Sequence, residues 1–577
     1  MQTLSGLTAS PGICSGKAYI FRAVDLSYDP ARMESPGEEA KRLKDAFDSA
    51  WRELDGIKNT LSGSMGEEYA HIFRAQMTIL EDDDFRQEIT DKLNEAACRA
   101  ETAVEEVYKM YAGLFSQMED SAYNAQRLAD LNDVCQRVLR NLLDREEITL
   151  SSLPPESIVI AKELFPSDTA VMDRKNIRGF VTERGGLTSH VAILAKSLSL
   201  PAAVGTPGAM EAVKKKDAVF LDLRDYEKAL VYVNPGVEKQ KELTALEKEY
   251  LERQMELLKM KDLESVTLDG RKITLSANIG SLEDLAAAGE FGAKSVGLFR
   301  TEFLFLKGDL PREEEQYLVY AEAAKKLAGG MLIVRTLDIG GDKEVKALNL
   351  PKEENPFLGL RGIRLCLKYE ELFLAQLRAL LRAAVHGDLR IMFPMVSSVL
   401  EFRRARELVV RAAAELREKG IPHKSDPPLG VMVETPAAVF LAEDLTREAS
   451  FVSMGTNDLT QYVLSVDRGN EAISSYYRTF SPAVLRAVGL TAAAAAKNGK
   501  WAGVCGELAG NPMAVPLLVG LGVEELSVTA SALPQTIALI RSLNFNRCRE
   551  AAQKVLAMST EDDVKACLQQ CAWRDPP

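Results

Sequence analysis

The residue with the clearest chemical potential is a histidine placed directly before an apolar run. His190 closes the segment Thr182-Glu-Arg-Gly-Gly-Leu-Thr-Ser-His190 and is followed by Val-Ala-Ile-Leu-Ala-Lys-Ser-Leu; the 577 residues contain only four histidines. A strand ending near Thr182, a tight turn at Gly185-Gly186 and a cap from Thr188 or Ser189 place His190 in the first turn of a helix. There the helix dipole disfavours the imidazolium, keeps the ring nucleophilic and stabilises a phosphoryl group once attached. A histidine that merely helps to cap the helix is the bland alternative.

A second set is scattered through the C-terminal half: Arg300, Arg335, Arg361, Glu434, Asn457, Asp458, Arg468 and Cys505. Several guanidinium forks suit a multiply charged anion such as a phosphate beside a carboxylate. Glu434 and Asp458 are oxygen ligands of the kind Mg²⁺ takes, one or two carboxylates with substrate oxygens and water completing its shell. Cys505, in Gly503-Val-Cys-Gly-Glu507, is a candidate acid or base beside the bound anion. Taken singly, each arginine also reads as a surface salt bridge, Glu434 as a helix-start carboxylate and Cys505 as a buried core thiol. Convergence on one place would separate these readings.

The surrounding pattern supplies that convergence. Short apolar runs at 273–278, 295–299, 331–335, 389–394, 429–434, 451–454, 501–504 and 524–528 are each followed by helix-like sequence. Such a series predicts a (β/α)₈ barrel, whose active sites lie at the C-terminal strand ends, where these residues fall. Upstream, Leu43, Phe47, Trp51, Leu54, Ile57 and Leu61 form one apolar stripe, and Leu128, Leu131, Cys135, Val138 and Leu142 another. Residues 25–145 therefore read as a helical bundle. Strand-like sequence lies on both sides of it, at the N-terminus and at 157–161, 179–182 and 218–221. The bundle is thus expected as an insertion into one α/β domain formed by 1–24 and 146–236. The charged segment 237–262 reads equally as a connecting helix or as a solvated helix of either neighbour, and 263–577 is the barrel.

Composition narrows the partners. A net charge of −13 disfavours a general nucleic-acid binder. No run reaches the roughly 18 apolar residues of a membrane span, and no secretory signal pattern opens the chain. The eight cysteines form no CxxC pair, as expected of a cytoplasmic protein.

Read together, these motifs resemble Enzyme I of the bacterial phosphotransferase system, the phosphoenolpyruvate–protein phosphotransferase family. The resemblance runs nearly end to end: Ala9-Ser-Pro-Gly12, Gly185-Gly-Leu-Thr-Ser-His190, Leu200-Pro-Ala-Ala-Val-Gly205, Gly297-Leu-Phe-Arg-Thr-Glu302, Arg335-Thr-Leu-Asp-Ile-Gly-Gly-Asp342, Asn355-Pro-Phe-Leu-Gly359, Val433-Glu-Thr-Pro436, Gly455-Thr-Asn-Asp-Leu-Thr-Gln461 and Cys505-Gly-Glu-Leu508. It implies phosphorylation of His190 and proton delivery by Cys505 to the pyruvate enolate. It assigns phosphoenolpyruvate contacts to Arg300, Arg335, Asn457, Asp458 and Arg468, and Mg²⁺ ligation to Glu434 and Asp458. It further implies that 25–145 docks the carrier protein HPr, that the α/β domain swivels between sites, and that the barrel forms a homodimer. Leu187 stands where family members commonly carry arginine, and Cys14 has no assigned role. The ATP-using dikinases that share the histidine and barrel need a further nucleotide domain, for which 25–145 is too short and too helical. A non-catalytic regulator would be expected to lack one of His190, Arg335, Glu434, Asp458 or Cys505; all five are present.

Overall fold

The computed structural model describes residues 2–21, 26–30, 35–64, 76–96, 98–117, 121–145, 150, 153–164, 172, 175–186, 191–192, 195, 200–225, 228–305, 310–327, 329–340, 348, 353–468, 470–571 and 573. The chain divides into two compact units, Met1–Tyr250 and Leu251–Pro577.

In the first unit, described strands close into a seven-stranded barrel in the order β1-β5-β4-β3-β2-β6-β7. They are β1 (Gln2–Ser10), β2 (Gly12–Phe21), β3 (Ser157–Ala161), β4 (Ile177–Thr182), β5 (Ala202–Val204), β6 (Ala218–Leu223) and β7 (Ala229–Val233). β2 and β3 are parallel neighbours, Lys17 opposite Ser157 and Phe21 opposite Ala161. Parallel neighbours need a crossover connection. Here the crossover contains the helices Pro36–Ser64, Asp83–Ala96, Ala100–Gln117 and Ser121–Leu142. The helical module is therefore an insertion between adjacent strands. Its core is the expected pair of stripes: Leu43, Phe47 and Leu54 pack with Leu131, Val134, Cys135, Val138 and Leu142. Each such side chain contributes about 1.5–3 kcal/mol by leaving water. Trp51 sits at the rim and donates its indole N–H to Glu81 at 2.8 Å; the side chains of Ile57 and Leu61 lie outside the described residues.

Two strands escape the sequence pattern. β5 is three residues long and alanine-rich, and β7 is a five-residue strand that pairs antiparallel with both β1 and β6. Cys14 is a core residue packed with Ile158, Val181 and Leu221, and burial pushes its thiol up to about 12. The charged segment forms the helix Val237–Leu258. Its first half packs on this unit: Leu243 is buried with Phe220 and Tyr232. Glu247 accepts bonds from the Ser15 N–H at 3.2 Å, the Ser15 hydroxyl at 2.5 Å and Arg178 at 2.6 Å. As far as Glu247, then, the helix belongs to the first unit.

The second unit is a closed barrel of eight parallel strands among the described residues, β8 (Thr274–Ile279), β9 (Val296–Phe299), β10 (Met331–Arg335), β11 (Asp388–Phe393), β12 (Leu429–Val433), β13 (Phe451–Met454), β14 (Trp501–Val504) and β15 (Glu525–Val528). Every expected strand is present, with ends within one residue of the sequence pattern. The lumen has two characters. One side holds Leu298, Ile333, Met392 and Met432 with the stacked Phe451–Trp501 pair, ring centroids 4.7 Å apart. The other carries Ser276, Asn278, Ser453, Glu525 and Ser527.

Glu525 is 1% exposed, and burial pushes its carboxyl up to about 8 against the opposing influence of Ser276 and Arg390. An unfolded glutamate titrates near ~4.3, so between these values the folded chain holds an extra proton. The stability this group contributes is complete below about pH 4 and is lost as pH rises through about 8. Wild-type protein should therefore be less stable at pH 9 than at pH 6, and Glu525→Gln should shrink that difference by on the order of a few kcal/mol. Urea unfolding followed by tryptophan fluorescence at the two pH values measures it.

Candidate active site

The histidine loop leaves β4 at Thr182, whose hydroxyl donates to the Arg184 carbonyl at 2.8 Å and whose own carbonyl accepts from the Thr206 N–H at 2.9 Å. Gly185 takes φ 99°, a left-handed conformation that glycine adopts without a steric penalty. Glu183 accepts the Met210 N–H at 2.8 Å and ties the loop to its neighbour. Beyond the loop, Val191 and Ala192 are helical and buried. Leu187, Thr188, Ser189 and His190 lie outside the described residues.

At the barrel mouth the scattered residues meet. Arg335, ending β10, is buried; it is ion-paired with Glu302 and with Asp338 at 3.0 Å. Arg361 is also buried and forks onto two carboxylates, Asp338 at 3.1 Å and Asp458 at 3.1 and 3.2 Å, while its Nη1 reaches the Tyr462 hydroxyl at 3.1 Å. Arg468 also approaches Asp458, at 3.8 Å. Asn457 accepts the Glu507 N–H at 3.0 Å, joining the loops after β13 and β14. Arg300 is exposed and lies in the electrostatic surroundings of Arg335, Glu302, Cys505 and Glu507. Like-charged guanidinium groups gathered this closely favour an anion between them.

Cys505 follows β14 and is 2% exposed. Its thiol leans on the Met454 carbonyl at 3.7 Å, and its own carbonyl accepts from the Asn278 side-chain amide at 3.2 Å. Burial is the main cause that pushes the thiol up to about 12, with Glu525 and Glu434 adding to it. A thiol kept in its protonated form is not a nucleophile in that state, and it retains a proton that a general acid could give.

Glu434, the residue after β12, is 1% exposed. One of its oxygens accepts the Met395 N–H at 2.6 Å; the other is buried and has no hydrogen-bond partner among the described residues. Burial, with Asp458 and Asp338 nearby, pushes it up to about 8. No group of three or more His, Cys, Asp or Glu side chains forms a ready-made cage among the described residues. The donor set nevertheless fits a hard divalent cation that needs only one or two carboxylates: Glu434 has an oxygen to give, and Asp458 is its electrostatic neighbour.

Glu302, Asp338, Gln376 and Asn278 join the site only in the structure. Gln376 accepts the Leu337 N–H at 3.0 Å and donates to the Thr301 hydroxyl at 3.3 Å, so one helical side chain staples the loops carrying Arg300 and Arg335. A carboxylate three residues after a strand-end arginine is the signal that marks Asp338. Since Asp338 neutralises two buried arginines at once, Asp338→Asn should destabilise the barrel by about 3–5 kcal/mol. Urea titration checks this. A loss below about 1 kcal/mol would mean that solvent already screens the network.

A histidine loop on a small α/β unit and a barrel mouth lined with arginines and carboxylates define a phosphoenolpyruvate-utilising class of enzyme. Three family models agree: the PEP-utilising enzyme N-terminal domain over 5–127, the mobile domain over 153–225 and the PEP-binding domain over 254–545. A phosphoenolpyruvate-protein phosphotransferase of Listeria innocua serovar 6a is 42% identical over 562 residues, 97% of this chain and 98% of that one. Those of Enterococcus faecalis and Haemophilus influenzae are each 40% identical, covering 99% and 98% of this chain and 99% and 98% of their own lengths. The chain belongs to the phosphoenolpyruvate–protein phosphotransferase family, Enzyme I of the bacterial phosphotransferase system, and is a transferase.

Proposed function

We propose that the chain takes the phosphoryl group of phosphoenolpyruvate onto His190 and passes it to the histidine of HPr, releasing pyruvate, as the first step of sugar uptake. The observation that carries this reading is the meeting of Arg335, Arg361, Arg468, Asn457, Asp458, Glu434 and Cys505 at one barrel mouth. Arg300, Arg335 and Arg468 bind the phosphate and carboxylate of phosphoenolpyruvate, with Asn457 and Asp458 orienting it. Glu434 and Asp458 would hold Mg²⁺, which when bound neutralises charge on the phosphate and enolate oxygens. The Cys505 thiol protonates the methylene carbon of the enolate, giving pyruvate.

The domain assignment follows the same reading. Residues 1–24 and 146–236 form the swivelling phosphohistidine domain, 25–145 the HPr-docking domain, 237–262 the linker helix and 263–577 the phosphoenolpyruvate-binding and dimerisation domain. A homodimer through the barrel domain is part of the same reading. No described helix is long and apolar enough to cross a membrane. We assign the protein to the cytoplasm on its cysteine pattern.

Mixing the full chain with Mg²⁺ and phosphoenolpyruvate labelled in phosphorus tests the reading. An acid-labile, base-stable label should appear with one pyruvate per chain, and HPr should discharge it and restart turnover. Absence of label from the wild-type chain would sink it.

A further inference from the structure

The polar side of the barrel lumen supplies none of the residues proposed above to bind substrate, yet it runs from the floor to Cys505. Register places the residues. Ser453 lies opposite Gly503, and Gly503 opposite Glu525, across three consecutive strands. Trp501, Gly503 and Cys505 alternate with outward residues, so Gly503 shares the lumen face of Cys505 one layer below it. The Glu525 carboxyl fills the space that side chains at Gly503 and Gly297 would take: a Cβ built there would fall 2.3 Å from Oε2 and 2.2 Å from Oε1. Both glycines thus make room for a buried acid. The Ser453 hydroxyl stands beside the Cys505 thiol, close enough to polarise it but short of full hydrogen-bond geometry. Neither Glu525 oxygen hydrogen-bonds Ser453 or any other described residue, and the Ser276 hydroxyl is in the same condition; what links Ser453 and Glu525 is register, which sets them on either side of Gly503. Below, Phe451 and Trp501 stack, and half-buried Arg390 lies over Trp501 at 5.8 Å and marks the floor. The charged or titratable groups facing Glu525 are Arg390 of β11 and Cys505 beyond β14.

Buried carboxyl groups without a hydrogen-bond partner are uncommon because nothing offsets the cost of their desolvation. Here a purpose follows from what Cys505 is left with. We infer that Glu525 is the proton reservoir for Cys505, acting through the Ser453 hydroxyl. The inference rests on the reading of Cys505 as the acid that protonates the enolate.

The proton balance is complete. As the new carbon–hydrogen bond of pyruvate forms, the Cys505 S–H bond breaks and leaves a thiolate. The Ser453 hydroxyl proton moves to sulfur while the Glu525 O–H proton moves to the serine oxygen, so Glu525 becomes a carboxylate. Water at the barrel floor returns a proton to Glu525. One proton passes from solvent to product, and the thiol is ready for the next enolate. Glu525 is pushed up to about 8, which leaves it protonated between turnovers.

The test separates the first turnover from later ones. Full-length Glu525→Gln, which keeps the shape and loses the transferable acid proton, is mixed with Mg²⁺, phosphoenolpyruvate and saturating HPr. The first equivalent of pyruvate should form at a rate within about twofold of wild type, because Cys505 begins protonated, while steady-state turnover falls about tenfold or more at unchanged KM. Ser453→Ala should show the same split, and it keeps the inference testable if Glu525→Gln does not fold. Steady-state turnover equal to wild type in either folded variant overturns the relay. So does equal slowing of the first and later turnovers, which would mean that Glu525 only shapes the barrel. Cys505→Ala run alongside distinguishes the two failures: if that variant forms pyruvate normally, the reading of Cys505 itself is wrong.

Discussion

His190→Ala is expected to abolish incorporation of acid-labile phosphate from phosphoenolpyruvate while leaving binding of that substrate within about twofold of wild type. The substitution removes the proposed nucleophile outright, and the barrel mouth that binds the anion is built from other residues. None of the described remaining histidines is placed to substitute. The His386 ring contacts the Tyr317 hydroxyl at 3.2 Å, and the His423 ring is tied to the Ile421 carbonyl at 2.8 Å and the Ser425 hydroxyl at 3.2 Å. A covalent intermediate divides one difficult transfer into two, so without it HPr should receive no phosphate at all. Autoradiography after base treatment reads the label, and calorimetry with phosphoenolpyruvate reads the binding. Label persisting in the variant would move the phosphorylated residue elsewhere. A joint loss of binding would show that the substitution damaged more than the nucleophile.

The second large effect is expected at Cys505. A thiol pushed up to about 12 is protonated at every working pH and stands ready to donate. Cys505→Ala removes the proposed acid for the enolate, so pyruvate formation should slow by about 10²–10⁴-fold. Phosphoenolpyruvate affinity should be nearly unchanged, because the arginines and Asn457 are untouched. Deuterium entry into the methyl group of pyruvate, followed by NMR, isolates the proton step. If affinity collapses while that step keeps its rate, Cys505 is a packing residue. Asn278 offers a graded version of the experiment: its amide bonds the Cys505 carbonyl, and its own oxygen accepts the Ser527 hydroxyl at 2.7 Å.

Much of the C-terminal barrel is legible in the amino-acid sequence. Its strands are buried on both faces, so they read as short continuous apolar runs closed by helical sequence. Residues at their C-terminal ends can therefore be named from strand order, and Arg335, Glu434, Asp458 and Cys505 do gather at one mouth. The first unit is less legible. β5 owes its existence to partners such as β1, far away in the chain, and its three residues carry too little pattern to declare a strand. The charged segment stays open to several readings until Glu247 is seen to bond Ser15 and Arg178. A carboxylate in a charged run gives no sign of which face it will bury.

By itself the sequence pointed to the class of chemistry: a histidine before an apolar, helix-like run, arginines and two acids at strand ends, and a cysteine among glycines. Those are matters of residue type, local spacing and strand order, and they hold without coordinates. Tertiary structure decided how the charges are shared. Asp338 serves two arginines, Gln376 staples two loops, and Glu434 keeps one buried oxygen without a hydrogen-bond partner among the described residues. It also decided that Glu525 lies beneath Cys505, in the hollow that Gly297 and Gly503 leave. The physical reason is that a side chain's partner, burial and proton affinity depend on what other strands bring within a few ångströms. Strand register sets that, and a linear pattern does not display it.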